Sequence, residues 1–396
     1  MNWKDLTSMK RLFGKIALEH LALGLQLPIL VALPLSRGLS LAEIGTLEAI
    51  LAVVLFCFEV PSGYVADKLG RKYAMAASNL AFAMAFVIFA TAQSFGAFLL
   101  PFILMGIGFA MLSGADEAYL FDALKGKKQE NQYKRCYGRL TIVDELVTIL
   151  GLGISTLISY FLEPSYVFVV ATLVMLATLL YTLFFLPESR QQRHQPKTPI
   201  EAFQRKPLVV IKKALLFLKG HIAFVIVLIA FALLDESGRL LWQPKMLDLG
   251  YTISMLGVIY AGLKIFSIIG AWISGKLNGE VGFKHFMAVG FISVLAFLLV
   301  GLGCNLLATI GLALYFFIEN MFRVFRSEYL NQRIESTYRA TFLSLNSFST
   351  STFTALFVIG LGAVANQRLW YGFILLVGVK ILAIVASGFL PRHQTN

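Results

Sequence analysis

The chain has 396 residues, 58% of them apolar and 13% aromatic, yet only 14% are charged, against about 25% in a typical soluble domain. That leaves too little polar surface for a water-soluble globule, so the chain belongs in a bilayer. The formal net charge of +12 points to loops facing anionic lipid rather than to nucleic acid, because the bases cluster between apolar runs.

The N-terminal stretch MNWKDLTSMKRLFGK has no small-residue cleavage site ahead of the first apolar run. That run therefore reads as a retained first span rather than a signal peptide. A spanning helix needs about 20 mostly apolar residues. Twelve such spans are predicted, near 13–35, 42–62, 73–93, 97–121, 139–161, 165–186, 222–244, 254–275, 285–303, 306–329, 340–364 and 369–389. One long polar connection splits them into two sets of six. The expected organisation is an N-terminal bundle over 1–187, a cytoplasmic linker over 188–220 and a C-terminal bundle over 221–396.

The bases set the orientation. With the N-terminus cytoplasmic, only Arg37, Lys245 and Arg368 fall on the opposite side. Five more (Arg239, Lys264, Arg323, Arg326 and Lys380) lie inside spans, which leaves 26 of the 34 Lys and Arg on the cytoplasmic side. This is a strong positive-inside asymmetry, with both termini cytoplasmic and an even number of spans. An internal repeat supports two halves. Gly38, Gly45, Gly63 and Gly70 recur as Gly250, Gly257, Gly275 and Gly282, each 212 residues later.

Between the second and third spans stands Gly63-Tyr64-Val65-Ala66-Asp67-Lys68-Leu69-Gly70-Arg71-Lys72. One acid and three bases cannot lie in hydrocarbon, so the segment reads as a tight turn at a membrane surface. Its pattern G-x-x-x-D-K-x-G-R-K resembles the signature between helices 2 and 3 of the major facilitator superfamily of secondary transporters. Phe58-Glu59-Val60-Pro61-Ser62-Gly63, Tyr329-Leu330-Asn331-Gln332-Arg333-Ile334 and Ser344-Leu345-Asn346-Ser347 resemble one large bacterial branch, many of whose transporters have no assigned substrate. The resemblance implies an all-α membrane protein of twelve helices in two pseudo-symmetric bundles, in a bacterial inner membrane, with the substrate site near the midplane between the halves. It also implies a conformational switch. Gly63, Asp67, Gly70, Arg71 and Lys72 would form it, with Asp67 capping the eleventh helix and Arg71 reaching an acid such as Asp122. The second copy, Gly275 to Lys284, keeps the glycines and loses most of the charge.

Charges within spans are the candidate site, since each costs about 3 kcal/mol or more at the bilayer centre. The fourth span carries Asp116 and Glu117, which as neighbours cannot share a face. In the seventh, Asp235 and Arg239 form an i,i+4 pair and Glu236 points about 100° away. Glu319, Arg323 and Arg326 share one face of the tenth. Asp144 and Glu145 in the fifth and Lys264 in the eighth are candidates for a gate, because the resemblance implies that these two helices meet across the halves. In the first span, Glu19 and His20 lie near the cytoplasmic edge, where a lone histidine reads as interfacial.

Two family patterns are missing. The arginine and glutamine expected in the fourth helix are Phe102 and Met105, and the fifth helix has Gly151 and Gly153 but no proline. Both absences weaken a multidrug antiporter assignment. There is no P-loop, so ATP-driven transport is disfavoured. Cys57, Cys136 and Cys304 give no metal spacing, and no cofactor is implied. The expected function is proton-coupled transport of a small organic solute by a monomer. The acids and aromatics favour export of amphipathic or cationic cargo by proton antiport. The rival is proton-coupled uptake of a metabolite or siderophore-like compound, with Arg239, Arg323 and Arg326 clamping an anion. A membrane-embedded enzyme has no catalytic constellation to support it.

Overall fold

The structure, a computed structural model, describes residues 7–125, 129, 132–187, 222–274, 276–277, 282–333 and 336–388. The expected linker, 188–220, lies outside them. Every regular element among the described residues is helical. The order is α1 Thr7–Gln26, α2 Ala32–Ser36, α3 Leu41–Leu69, α4 Arg71–Thr91, α5 Phe95–Leu112, α6 Ala115–Lys125, α7 Tyr133–Phe161 and α8 Tyr166–Phe185. It continues with α9 Ile222–Asp248, α10 Ile253–Ser274, α11 Phe283–Leu302, α12 Asn305–Arg333, α13 Ser336–Gln367 and α14 Leu369–Ser387. Helices occupy all twelve predicted stretches. The first is shared by α1 and α2 across a short 3-10 segment, and the fourth is broken into α5 and α6. Ten stretches are long and apolar enough to cross a membrane. The α9 and α13 stretches do not meet that measure among the described residues.

The helix boundaries follow local chemistry. Gly38, at φ +88°, reverses the chain. Ser40 then caps α3 in a reciprocal box, its hydroxyl accepting from the Glu43 amide while Glu43 accepts from the Ser40 amide. The charged segment from Gly63 to Lys72 is not, as a whole, the tight turn expected from sequence. α3 runs on through Leu69, and the reversal is concentrated in Gly70, at φ +107°, a conformation that glycine adopts without steric cost. The helix former Ala66 and the solvated Lys68 let the helix project past the apolar run.

Two compact units divide the chain. One is Met1–Gln192 with Tyr251–Ala261, and the other is Arg193–Gly250 with Gly262–Asn396. In the first unit, Phe86, Phe89, Phe98, Phe102 and Phe168 build a core where α4, α5 and α8 meet. Phe89 stacks on Phe168 with ring centroids 4.1 Å apart and meets Phe98 edge-on at 4.9 Å. Glycines set the closest approaches. A Cβ at Gly24 would stand 2.7 Å from the Thr148 carbonyl oxygen, and one at Gly151 would stand 2.8 Å from that of Leu21. α1 and α7 therefore touch backbone to backbone. In the second unit, α11, α12 and α14 pack around Phe286, Phe322, Phe325 and Tyr329. Gly311 fits there against the Ala296 carbonyl, and Gly301 against Phe373. Outward faces are apolar: Ile142, Leu146, Leu150 and Leu157 on α7 are each more than half exposed, the surface a bilayer would cover.

The repeat read from sequence has a backbone counterpart. Gly250 stands at φ +89°, one degree from Gly38. A second correspondence keeps that register at the acceptor but not at the donor, since Lys245 is 208 residues after Arg37. Arg37 donates to the carbonyls of Phe89 (3.2 Å), Ala90 (2.8 Å) and Ala92 at the end of α4. Lys245 donates to the carbonyl of Gly301 at 3.1 Å, and Gly301 is 212 residues after Phe89. Two of the three bases assigned to the non-cytoplasmic side thus satisfy orphan carbonyls at a helix C-terminus. Burial lowers the Arg37 pKa from its ordinary value, and the Glu163 carboxylate opposes the shift. Arg37→Ala is expected to cost about 2–3 kcal/mol, since hydrogen bonds to a charged group contribute about that much. Lys245→Ala, which loses one carbonyl contact, is expected to cost less. Thermal unfolding of the two variants in detergent measures the difference, and equal losses would contradict the reading.

Candidate functional site

The site begins on α1, where Lys15, Glu19 and Gln26 stand at i, i+4 and i+11, one stripe of a helix. All three are buried. The Lys15 ammonium donates to Glu19 Oε2 at 2.7 Å and to both oxygens of Asp116, at 2.8 and 3.1 Å. The side chains of Lys15 and Glu19 have no exposure and that of Asp116 has 17%. Removing an ammonium from water costs several kcal/mol, offset here by three hydrogen bonds and two carboxylates. One cation against two acids leaves the cluster with one negative charge when both acids are ionised. Glu19 Oε1 is buried and has no hydrogen-bond partner among the described residues.

Asp116 reaches Lys15 because its helix is broken. The sequence predicted one span through 97–121. Phe95–Leu124 is indeed one candidate span, but within it α5 ends at Leu112, Gly114 takes φ +69°, and α6 starts afresh at Ala115. Asp116 and Glu117 then occupy the first turn of a helix, where unpaired backbone N–H groups and the dipole favour anions. The two neighbours diverge as expected. Glu117 is exposed and accepts from the Tyr137 hydroxyl at 2.9 Å. Tyr137 stacks on Tyr133, and Tyr133 meets Phe121 edge-on, with centroids 5.8 Å apart in both pairs.

A second charged contact lies one turn along α1. His20 Nδ1 contacts Asp144 Oδ1 on α7, with both side chains about a quarter exposed. The Thr148 hydroxyl donates to the same Asp144 oxygen at 3.3 Å. This pair sits on the glycine seam, a turn below the contact of Gly24 with Thr148. His20 is therefore an inter-helix residue and not the lone interfacial side chain that its sequence position implied. Sequence reading also missed Lys15, counted among the cytoplasmic bases, and placed Glu19 near the cytoplasmic edge without a role in the site. The spacing of Lys15 and Glu19 was a detectable signal, but it resembles a surface pair until α6 covers it.

The remaining candidates are spread more widely. Arg71 Nε lies 2.9 Å from Asp122 Oδ2, so the pairing named from sequence is made between the starts of α4 and the end of α6. Lys72 is half-buried, Gly63 is exposed within α3, and the Asp67 side chain lies outside those described. Glu145 on α7 and Lys264 on α10 are half-buried. In the second unit, Asp235 and Glu236 lie on α9 with side chains outside those described, and Arg239 is half-buried. On α12, Arg323 donates to Glu319 Oε1 at 2.9 Å. Arg323 is 55% exposed and Glu319 18%, and Arg326 is half-buried. Lys380, placed inside the twelfth predicted span, is buried on α14.

An all-helical chain with buried charge networks inside apolar helices fits a membrane transporter, and a sequence comparison decides the matter. The family model of the Major Facilitator Superfamily matches residues 16–351. The chain belongs to the Major Facilitator Superfamily. As a member it is a multi-pass membrane transporter and not an enzyme. It is 23% identical over 342 residues to the uncharacterised MFS-type transporter YxaM of Bacillus subtilis (strain 168), covering 84% of this chain and 82% of that protein. The fold is similar to crystal structures of a variant of the nucleoside transporter NupG and of a D-xylose-proton symporter. The first gives a TM-score of 0.79 at 16% identity, with 96% of this facilitator and 98% of that chain covered. The second gives 0.71 at 12% identity, with 96% and 97% covered. At such identities the likeness establishes the facilitator fold alone.

Proposed function

We propose that this protein is a secondary transporter that moves a small organic solute across a bacterial inner membrane by alternating access, driven by protons. It works as a monomer of twelve spans in two six-helix halves, with both termini in the cytoplasm. The observation that carries the reading is the buried cluster of Lys15, Glu19 and Asp116. A site with one more carboxylate than ammonium changes its charge when a proton arrives, and a buried charge change is what couples a proton to a conformational equilibrium.

The same unit favours a cationic cargo, moved outward in exchange for protons. Glu117 is exposed beside Tyr137, Tyr133 and Phe121. A carboxylate set among aromatic rings attracts an organic cation through charge and ring faces together. A second reading, uptake of an organic anion, is favoured by the exposure of Arg323, a guanidinium able to grip a carboxylate.

Inverted membrane vesicles separate the two. Ethidium, an organic cation, is expected to accumulate on acidification of the lumen, and nigericin is expected to abolish this. Proton-driven entry of gluconate into right-side-out vesicles, without ethidium movement, would replace export of a cation by uptake of an anion. Indifference of both probes to the pH gradient would overturn proton coupling.

A further inference from the structure

Glu19 and Asp116 share one ammonium but are not equivalent. Asp116 places both oxygens on Lys15 Nζ, at 2.8 and 3.1 Å. It stands in the first turn of α6, whose N-terminus favours negative charge, and part of its side chain meets solvent. Glu19 stands in the middle of α1, far from either helix end. It uses Oε2 alone, at 2.7 Å, and its other oxygen is buried with no donor among the described residues. An ionised carboxylate whose second oxygen has no partner in a dry site is poorly stabilised. Three things hold Asp116 as an anion, and only one holds Glu19.

We infer that Glu19 is the residue that takes up and releases the driving proton, with Lys15 and Asp116 as its positioning residues; this rests on the proton-coupled reading above. A hydronium ion gives its proton to the Glu19 carboxylate and leaves as water, and the cluster passes from one net negative charge to none. The product is one ammonium, one carboxylate and one neutral acid. Protonating Asp116 instead would discard its two-oxygen grip and its helix terminus, and would leave the orphan oxygen of Glu19 anionic.

The surrounding groups leave this assignment intact. On α1 they are Lys15 and His20; on α6, Asp116; on α7, Asp144; on α8, Tyr181, whose hydroxyl packs at Gly14. His20 is engaged by Asp144, so neither is the partner of Glu19 Oε1. The exposed edge of Asp116 is where the cluster meets water. Loss of charge on Glu19 loosens its hold on Lys15 and gives the ammonium wholly to Asp116. Proton arrival thereby shifts the tie between α1 and α6.

Infrared titration of the purified protein in lipid tests this with the proton itself as the probe. Wild type is expected to show one slowly deuterium-exchanging carboxylic C=O band that grows as pH falls. Glu19→Gln is expected to remove it, Glu19→Asp to shift it, and Asp116→Asn to retain it. Circular dichroism melts confirm that each variant is folded. A band kept by Glu19→Gln and lost in Asp116→Asn overturns the assignment while proton coupling stands. No titrating buried band in wild type overturns both.

Discussion

Lys15→Met is expected to abolish proton-driven transport and to lower stability by about 3–5 kcal/mol, the cost of breaking a buried ion pair by removing one partner. The magnitude follows from what remains. Glu19 has no exposure, and among the described residues Lys15 supplies the one hydrogen bond its carboxylate receives. Asp116 loses the donor that both its oxygens share. Two neighbouring carboxylates then face each other without a cation, and raising the pH is expected to deepen the loss as both ionise. Thermal unfolding across a pH series reads this directly. The triple variant Lys15→Met, Glu19→Gln, Asp116→Asn carries no charge at the site and is expected to recover most of the stability and none of the coupled transport. If Lys15→Met melts with wild type at high pH, the cluster does not have the energetic weight assigned to it.

Gly151→Val tests the helix contact that holds α1 in place. A Cβ at Gly151 would approach the Leu21 carbonyl oxygen to 2.8 Å and the Leu25 amide nitrogen to 3.0 Å. Both are backbone atoms of α1 and cannot rotate aside, so the helices must separate. Overpacking of this kind costs about 1–3 kcal/mol. The displacement also falls on the seam that sets His20 against Asp144 and holds α1 in register with Asp116. Gly153→Val is the matched control, because nothing lies within 4 Å of a Cβ built there. The expected result is a clear drop in melting temperature and transport for Gly151→Val and little change for Gly153→Val. Equal behaviour of the two would mean that the α1–α7 contact does not position the site.

These two glycines show where reading the sequence stops. α7 presents both in one apolar run, and periodicity alone does not separate the one that touches a neighbour from the one that does not. The charged segment from Gly63 is a similar case. Its composition marked a membrane surface, yet the helix persists to Leu69 and turns only at Gly70, because a helix satisfies its own backbone whether or not lipid surrounds it. Lys15 was counted as a cytoplasmic base by its distance from the N-terminus. Its burial is set by α6, and Asp116 lies 101 residues away.

The amino-acid sequence by itself determined the bilayer environment, the positions of the helical stretches, the uneven spread of basic residues and the doubled glycine register. Each of these is a property of a window of residues: hydropathy, helix length, or the φ a glycine can take. Gly38 and Gly250 adopt the same left-handed backbone for that reason. The tertiary structure alone decided that a break at Gly114 brings Asp116 to Lys15, that His20 meets Asp144, and that Arg37 and Lys245 spend their charge on helix ends. Those outcomes depend on which helices pack side by side and how closely. The energy of a charge depends on whether its neighbours exclude water, and no local pattern carries that information.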